Sequence, residues 1–295
     1  MSTVDLSALP APPVLEDLNF EEVYQEDLST FRLHMGDNWS AGVESDPVTK
    51  LLEVGSYRKL GNRARVNDAA KALMLAHAKR GDLDQLAANV DLERLVVQAE
   101  DLTAVPPVAE VLEEDDALRE RIQLVYEGLT TAGPRNSYIL HARNASGLVA
   151  DASAESPSPA TVVVTVLGLL GDGVADDELL DVVRDGLSDE DVRPLGDRVI
   201  VQSAEILPYR IDAVVYMAGT GSENEAILAE CEKRLKAWIN PRRRLGVEVS
   251  RSAIDAQLHI NGVESVELTG WVDVKPTKAQ AAWCMDFNVV RGRKT

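Results

Sequence analysis

The spacing of apolar side chains in this 295-residue chain is helical up to Gly147, where strand-like runs first appear, and no other feature limits the fold as much. Before it, apolar residues recur at helical intervals. Leu118, Ile122, Val125 and Leu129 form one stripe, with Asp115 or Asp116 placed as cap and Gly133-Pro134 as stop. After it come β-branched runs, the clearest being Val162-Val163-Val164-Thr165-Val166. A chain with a helical first half and a mixed second half is expected to be α+β: an N-terminal helical arm suited to a bundle, then two small mixed helix-and-hairpin modules. The expected regions are 1–111, 112–196 and 197–295, with the linker at Val105-Pro106-Pro107 marking the first boundary.

Leu9-Pro10-Ala11-Pro12-Pro13 reads as an extended leader, since consecutive prolines exclude helix. A helix is expected from Glu16 to Met35. Asp46-Pro47, an N-cap followed by Pro at the first position, opens a long helix reaching to Arg80, with Gly55 and Gly61 as weak points and Gly81 as its C-cap. Its alanine-crowded half, Ala64 to Ala78, allows close helix packing. Short helices follow at 82–87 and 137–144. Strands are expected at 148–154 and 161–167 and, around a turn at Pro208, at 199–207 and 209–217; helices are expected at 176–186, 223–239 and 251–258, and last strands at 263–268 and 283–290. The pattern from Val149 to the helix at Asp176 recurs about 50 residues later, implying a duplicated hairpin module. The helix-to-strand join around Gly147 also recurs around Gly262.

Composition narrows the function. There are 49 Asp and Glu against 30 Lys and Arg, a net charge of −19 that repels phosphate backbones and anionic lipid, so neither nucleic acid nor membrane insertion is expected. The excess lies in residues 1–190; the last third is balanced and holds two basic clusters, Arg242-Arg243-Arg244 and Arg291, Arg293, Lys294. Two cysteines are too few for a disulfide framework, and Cys231 shares a helical face with Ile227, Leu235 and Trp238, the position of a buried thiol. The four histidines fall singly, no GxSxG elbow or P-loop occurs, and the glycines of 168–173 and 219–221 fit turns. No catalytic residue, cofactor or metal is therefore expected. The competing readings are a soluble carboxylate-dependent hydrolase, which needs two of Asp172, Asp176, Glu205 and Asp212 in one pocket, and a stand-alone acidic adaptor.

One ordered set of short motifs runs almost end to end. It comprises Leu9-Pro10-Ala11-Pro12 with Leu15-Glu16 and Phe20-Glu21; Tyr57-Arg58 with Arg65-Val66-Asn67; Asp82-Leu83-Asp84; and Arg119 to Ile122 with Glu127-Gly128-Leu129. It continues through Ser156-Pro157-Ser158-Pro159-Ala160, Asp191-Val192-Arg193-Pro194 with Asp197-Arg198-Val199, and Arg244-Leu245-Gly246 before Ser252-Ala253-Ile254. In this order the chain resembles the baseplate assembly protein J family of contractile phage tails, in the short form of temperate phages and R-type bacteriocins (R-type pyocins). Two departures are the short region around Gly36 to Asn38 and the glycine-rich turn from Gly168 to Val174.

The resemblance implies a non-enzymatic virion structural protein. Two copies would join one I-like companion wedge protein, and six such wedges would surround the central hub and spike, beside the sheath initiator. The wedges would meet in a six-fold ring that holds the baseplate closed and opens to start sheath contraction. It further implies synthesis in the bacterial cytoplasm and release in a phage or bacteriocin particle by lysis. On that reading Leu51, Leu52, Val66 and Leu73 are expected in an inter-subunit bundle. Arg242, Arg243 and Arg244 are expected against an acidic surface such as that of a neighbouring copy, with a hinge at Gly81 or Pro106-Pro107.

Overall fold

The computed structural model describes residues 6, 9–10, 12–36, 43–127, 134–189, 192–194, 196–217, 223–240 and 243–292. The leader before Pro12, Leu129, Gly133, Arg242, Arg293 and Lys294 lie wholly or mostly outside these. The chain divides into two compact units, Met1–Glu93 and Arg94–Thr295. The described residues form the expected α+β fold: helices in the first unit and small mixed sheets in the second.

In the first unit, α1 spans Phe20–Met35 and α2 spans Pro47–Ala72. α1 starts later than Glu16 because the Glu16 main chain is taken: its N–H donates to Asn67 Oδ1 at 2.9 Å and its carbonyl accepts from Asn67 Nδ2 at 2.8 Å. Asn19 then caps α1 through the Glu21 N–H. Asp46 caps α2 by accepting from Val48 N at 2.7 Å, with Pro47 just inside, and the helix runs on through Gly55 and Gly61. It stops at Ala72, eight residues short of the expected end. From Leu73 the chain bonds in tighter turns (Leu73 N to Ala70 O, Met74 N to Lys71 O) and redirects at Arg80, whose φ is +47°. This frees α3, Gly81–Ala88, to bury Leu83 and Ala87. Gly81 therefore opens a helix instead of capping one, and Arg80 carries the left-handed conformation.

The second unit begins with a ribbon of β1 (Val96–Gln98) and β2 (Val111–Leu112), so Pro106-Pro107 lies within the connection of a two-stranded ribbon. α4 (Asp115–Leu124) ends in a tight turn through Glu127, and α5 (Arg135–Ala145) leads into β3 (Val149–Ser158). β3 and β4 (Thr161–Gly168) form an antiparallel hairpin; α6 (Asp177–Ser188) then carries the chain to β5 (Arg198–Ser203), parallel to β4. The second sheet is centred on β6 (Glu205–Met217), with β7 (Val263–Leu268) antiparallel on one side and β8 (Gln280–Arg291) parallel on the other. α7 (Glu223–Trp238) and α8 (Arg251–Leu258) follow β6. Cys231 is buried among Leu235, Ile254 and Leu258 in the core of this sheet.

The expected duplication does not hold as a repeated hairpin. β5 and β6 are separated by Ala204 alone yet belong to different sheets: Ala204 N donates to Val166 O in the first, and Glu205 N to Ala279 O in the second. Pro208, expected in a turn, lies inside β6 opposite Trp283. The strand accepts it because β7 pairs with Ala213–Met217, so the missing N–H falls where β6 has no second neighbour among the described residues. What recurs is the pairing scheme. Each sheet has a central strand with one antiparallel and one parallel neighbour, and the two glycine joins, α5–β3 and α8–β7, each deliver the antiparallel edge.

Candidate interaction surfaces

α2 is built inside out. Its buried residues are Thr49, Ser56 and Asn67, all polar, whereas Leu51, Val54, Val66 and, just past its end, Leu73 are 71%, 50%, 54% and 78% exposed. The buried side meets α1 through polar contacts. Ser56 Oγ donates to Asp27 Oδ2 at 2.8 Å, Lys59 pairs with Asp27, and Arg63 pairs with Glu16 at 2.9 Å and Glu26 at 3.6 Å. Phe20 stacks on Tyr57 with ring centroids 4.2 Å apart. Burial pushes the Asp27 carboxyl up, but the bonds from Lys59 and Ser56 outweigh it and hold it below its ordinary value.

At about 100° per residue, Leu51, Arg58, Asn62, Val66, Ala69 and Leu73 fall along one line of the opposite, outward side. All six are exposed. Leu52 lies to one side of that line and is half-buried. α1 buries Val23 and Leu28, whereas the fully buried residues of α2 are polar and its Leu51, Val54 and Val66 face outward.

In the second unit, arginines organise the ground between ribbon, α4 and the two sheets. Arg121, 2% exposed, forks onto Glu113, 7% exposed, through Nε at 2.9 Å and Nη2 at 2.7 Å, and its Nη1 donates to Asn144. Arg94 ties the Glu113 carbonyl and Asp115. Arg143 and Arg244 converge on Glu120 at 2.9 and 3.1 Å. Burial raises the Glu120 carboxyl, and the two guanidinium groups overcome it to leave a net lowering. Buried Asp151 accepts from Leu245 N at 3.0 Å and Ala152 N at 2.9 Å; burial dominates there and lifts its pKa. An open cleft of about 460 Å3 lies over this ground, between Leu112, Ala150, Leu169 and the Arg121, Arg143 and Arg244 side chains.

Arg243 and Arg244 thus have partners inside their own chain. Arg243 donates to the carbonyls of Gly168 and Leu169 at 3.2 and 2.9 Å and lies 4.8 Å over the Trp283 ring, so it clasps the glycine-rich turn. Arg244 meets an acid, but that acid is Glu120 on α4. Arg242 lies outside the described residues. The four carboxylates of the hydrolase reading are engaged separately. Asp176 caps α6, Asp172 accepts from Val174 N, Asp212 pairs with Arg210 and Glu205 accepts from Gln280, and none lines the cleft. Sequence patterning does not single out Arg121 and Arg143, although Arg121 falls three residues after Leu118 and one before Ile122, on the buried stripe of α4.

Residues 44–101 match the family model of the baseplate J-like N-terminal domain, and residues 130–203 that of the baseplate J-like central domain. The chain is 44% identical over 299 residues to baseplate protein J of Escherichia phage P2, across 99% of this chain and 99% of that protein.

Proposed function

The chain belongs to the baseplate J-like family, and from that membership we propose that it is a structural wedge protein of a contractile-tail baseplate. The similarity along the whole chain supports a structural baseplate role and suggests a non-enzyme. In the proposed assembly two copies join one I-like companion, and six wedges surround hub and spike and meet the sheath initiator. The closed ring of wedges then opens to start contraction. The protein is made in the cytoplasm and leaves in a phage or bacteriocin particle on lysis; among the described residues no helix is long and apolar enough to cross a membrane.

The observation that carries the wedge reading is the outward aliphatic line of α2, which lies in the part matching the N-terminal family domain. We assign Leu51, Leu52, Val66 and Leu73 to the bundle with the companion and the second copy. The regions 1–111, 112–196 and 197–295 serve as bundle arm, central module and ring module. Arg242, Arg243 and Arg244 are assigned to an acidic surface such as that of a neighbouring copy, Arg243 and Arg244 in addition to their partners within the chain.

Co-expression of the full chain with an I-like protein, followed by mass determination of the purified complex, tests this. Two copies of this chain per companion are expected, and Leu73→Glu is expected to abolish the complex while circular dichroism stays native. If no complex with two copies forms, the wedge reading falls.

A further inference from the structure

α2 carries six Lys and Arg against two Asp and Glu, in a chain whose net charge is −19. Three of those cations are used within the first unit: Lys50 by Glu53 and Glu44, Lys59 by Asp27, and Arg63 by Glu16 and Glu26. Arg58 and Arg65 make no ion pair among the described residues, and both are exposed on the same outward side as Leu51 and Val66. Between Leu51 and Leu73 this line holds no carboxylate. The exposed aliphatic face of α2 is therefore also cationic, although the chain as a whole is acidic.

We propose that the outward face of α2 receives an acidic amphipathic helix of a companion protein, with carboxylates two turns apart facing Arg58 and Arg65. This rests on the bundle reading above and adds the chemistry of the partner. Arg58 and Arg65 are seven residues apart, about 10.5 Å along a helix, so the matching carboxylates stand at the same heptad interval on a partner running alongside. Two α2 faces laid on each other, parallel or antiparallel, bring four guanidinium groups into one seam. That repulsion disfavours the α2 face of a second copy as the direct occupant, while a second copy still joins the bundle through its other surfaces. The aliphatic residues supply buried area, the two arginines select an acidic partner, and Asn62 between them fixes axial register.

The test uses full-length protein titrated onto the purified I-like companion. Reversing both charges (Arg58→Glu with Arg65→Glu) is expected to weaken binding by roughly tenfold or more, and the loss shrinks as salt rises. The pair Arg58→Lys with Arg65→Lys keeps most of the affinity. Lys233→Glu with Lys236→Glu, the same charge change on exposed positions of α7, leaves it unaltered. Should the reversal disturb folding, Arg58→Gln with Arg65→Gln produces the same weakening at smaller amplitude. Unchanged binding by the reversed protein, with Leu73→Glu still abolishing the complex, overturns the acidic partner and leaves the bundle standing. Loss of self-association of the chain alone, with companion binding unaltered, identifies a second copy as the occupant and also overturns it. If neither substitution matters, the bundle itself is wrong.

Discussion

Arg121 shows how much of this protein depends on single charged residues placed where apolar ones are expected. Its guanidinium and the Glu113 carboxylate are both buried, so Arg121→Ala leaves an uncompensated charge. The expected loss is about 3–5 kcal/mol, read from urea denaturation. The double replacement Arg121→Met with Glu113→Leu is expected to lose far less, since it removes both charges. Glu120 and Asp151 make opposite contributions to pH dependence. Arg244 and Arg143 overcome burial and hold Glu120 below its ordinary 4.5, so its stabilisation is present above that value and is lost as pH falls through the lowered pKa. Burial lifts Asp151 above 3.8, so its native form binds the extra proton and stability falls as pH rises from 3.8 through the raised pKa. In denaturation series across pH, Glu120→Gln should flatten the acid-side loss and Asp151→Asn should steepen the gain with rising pH. The converse pattern would reverse these assignments. The sequence displayed Arg121 on the α4 stripe, but nothing in it linked Arg143 or Asp151 to Arg244 or Leu245. Those pairs are about a hundred residues apart and meet only through the fold.

At the scale of elements, starts were easier to read than ends. Asp46-Pro47 specified the beginning of α2 because capping is local chemistry, and Asp46→Ala is expected to cost about 1 kcal/mol in thermal or urea unfolding of the first unit. The end of α2 was not legible, because alanine-rich sequence supports helix well past Ala72. The chain turns there so that α3 can bury Leu83 and Ala87, which is a packing decision. The inner face of α2 was misleading for a related reason. Leucines invite a search for an apolar inner face, yet the buried residues of α2 are Thr49, Ser56 and Asn67, with Ser56 bonded to Asp27 of α1 and Asn67 to the chain just before α1. Asn67→Ala removes both bonds to the Glu16 main chain and is expected to cost about 1–3 kcal/mol, with looser protection of the Glu16 amide in hydrogen exchange. β6 carries the same lesson: proline marked a turn by local rule, and a one-sided stretch of strand accommodated it.

Across the whole molecule, the two sheets of residues 94–295 are locked together by many independent contacts. Ala204 alone separates β5 from β6, and Leu167 and Ala281 pack around it. Asp151 holds Leu245, Ser153 donates to the Lys278 carbonyl, and Arg244 reaches Glu120. The two modules are therefore expected to unfold in one calorimetric transition, and Ala281→Glu, placing a charge at 0% exposure, should destabilise both together. Separate melting of the modules would contradict this coupling. By itself the sequence determined the α+β class, most helices, the β3–β4 hairpin, the acidic polarity and the family, because periodicity, capping and ordered motifs are local or one-dimensional properties. Only the tertiary structure decided that β5 and β6 enter different sheets, that Arg243 and Arg244 find partners within the chain, and that the aliphatic side of α2 faces out beside Arg58 and Arg65, which make no ion pair among the described residues. Each of those depends on which distant surfaces meet, and burial is settled by the folded chain as a whole.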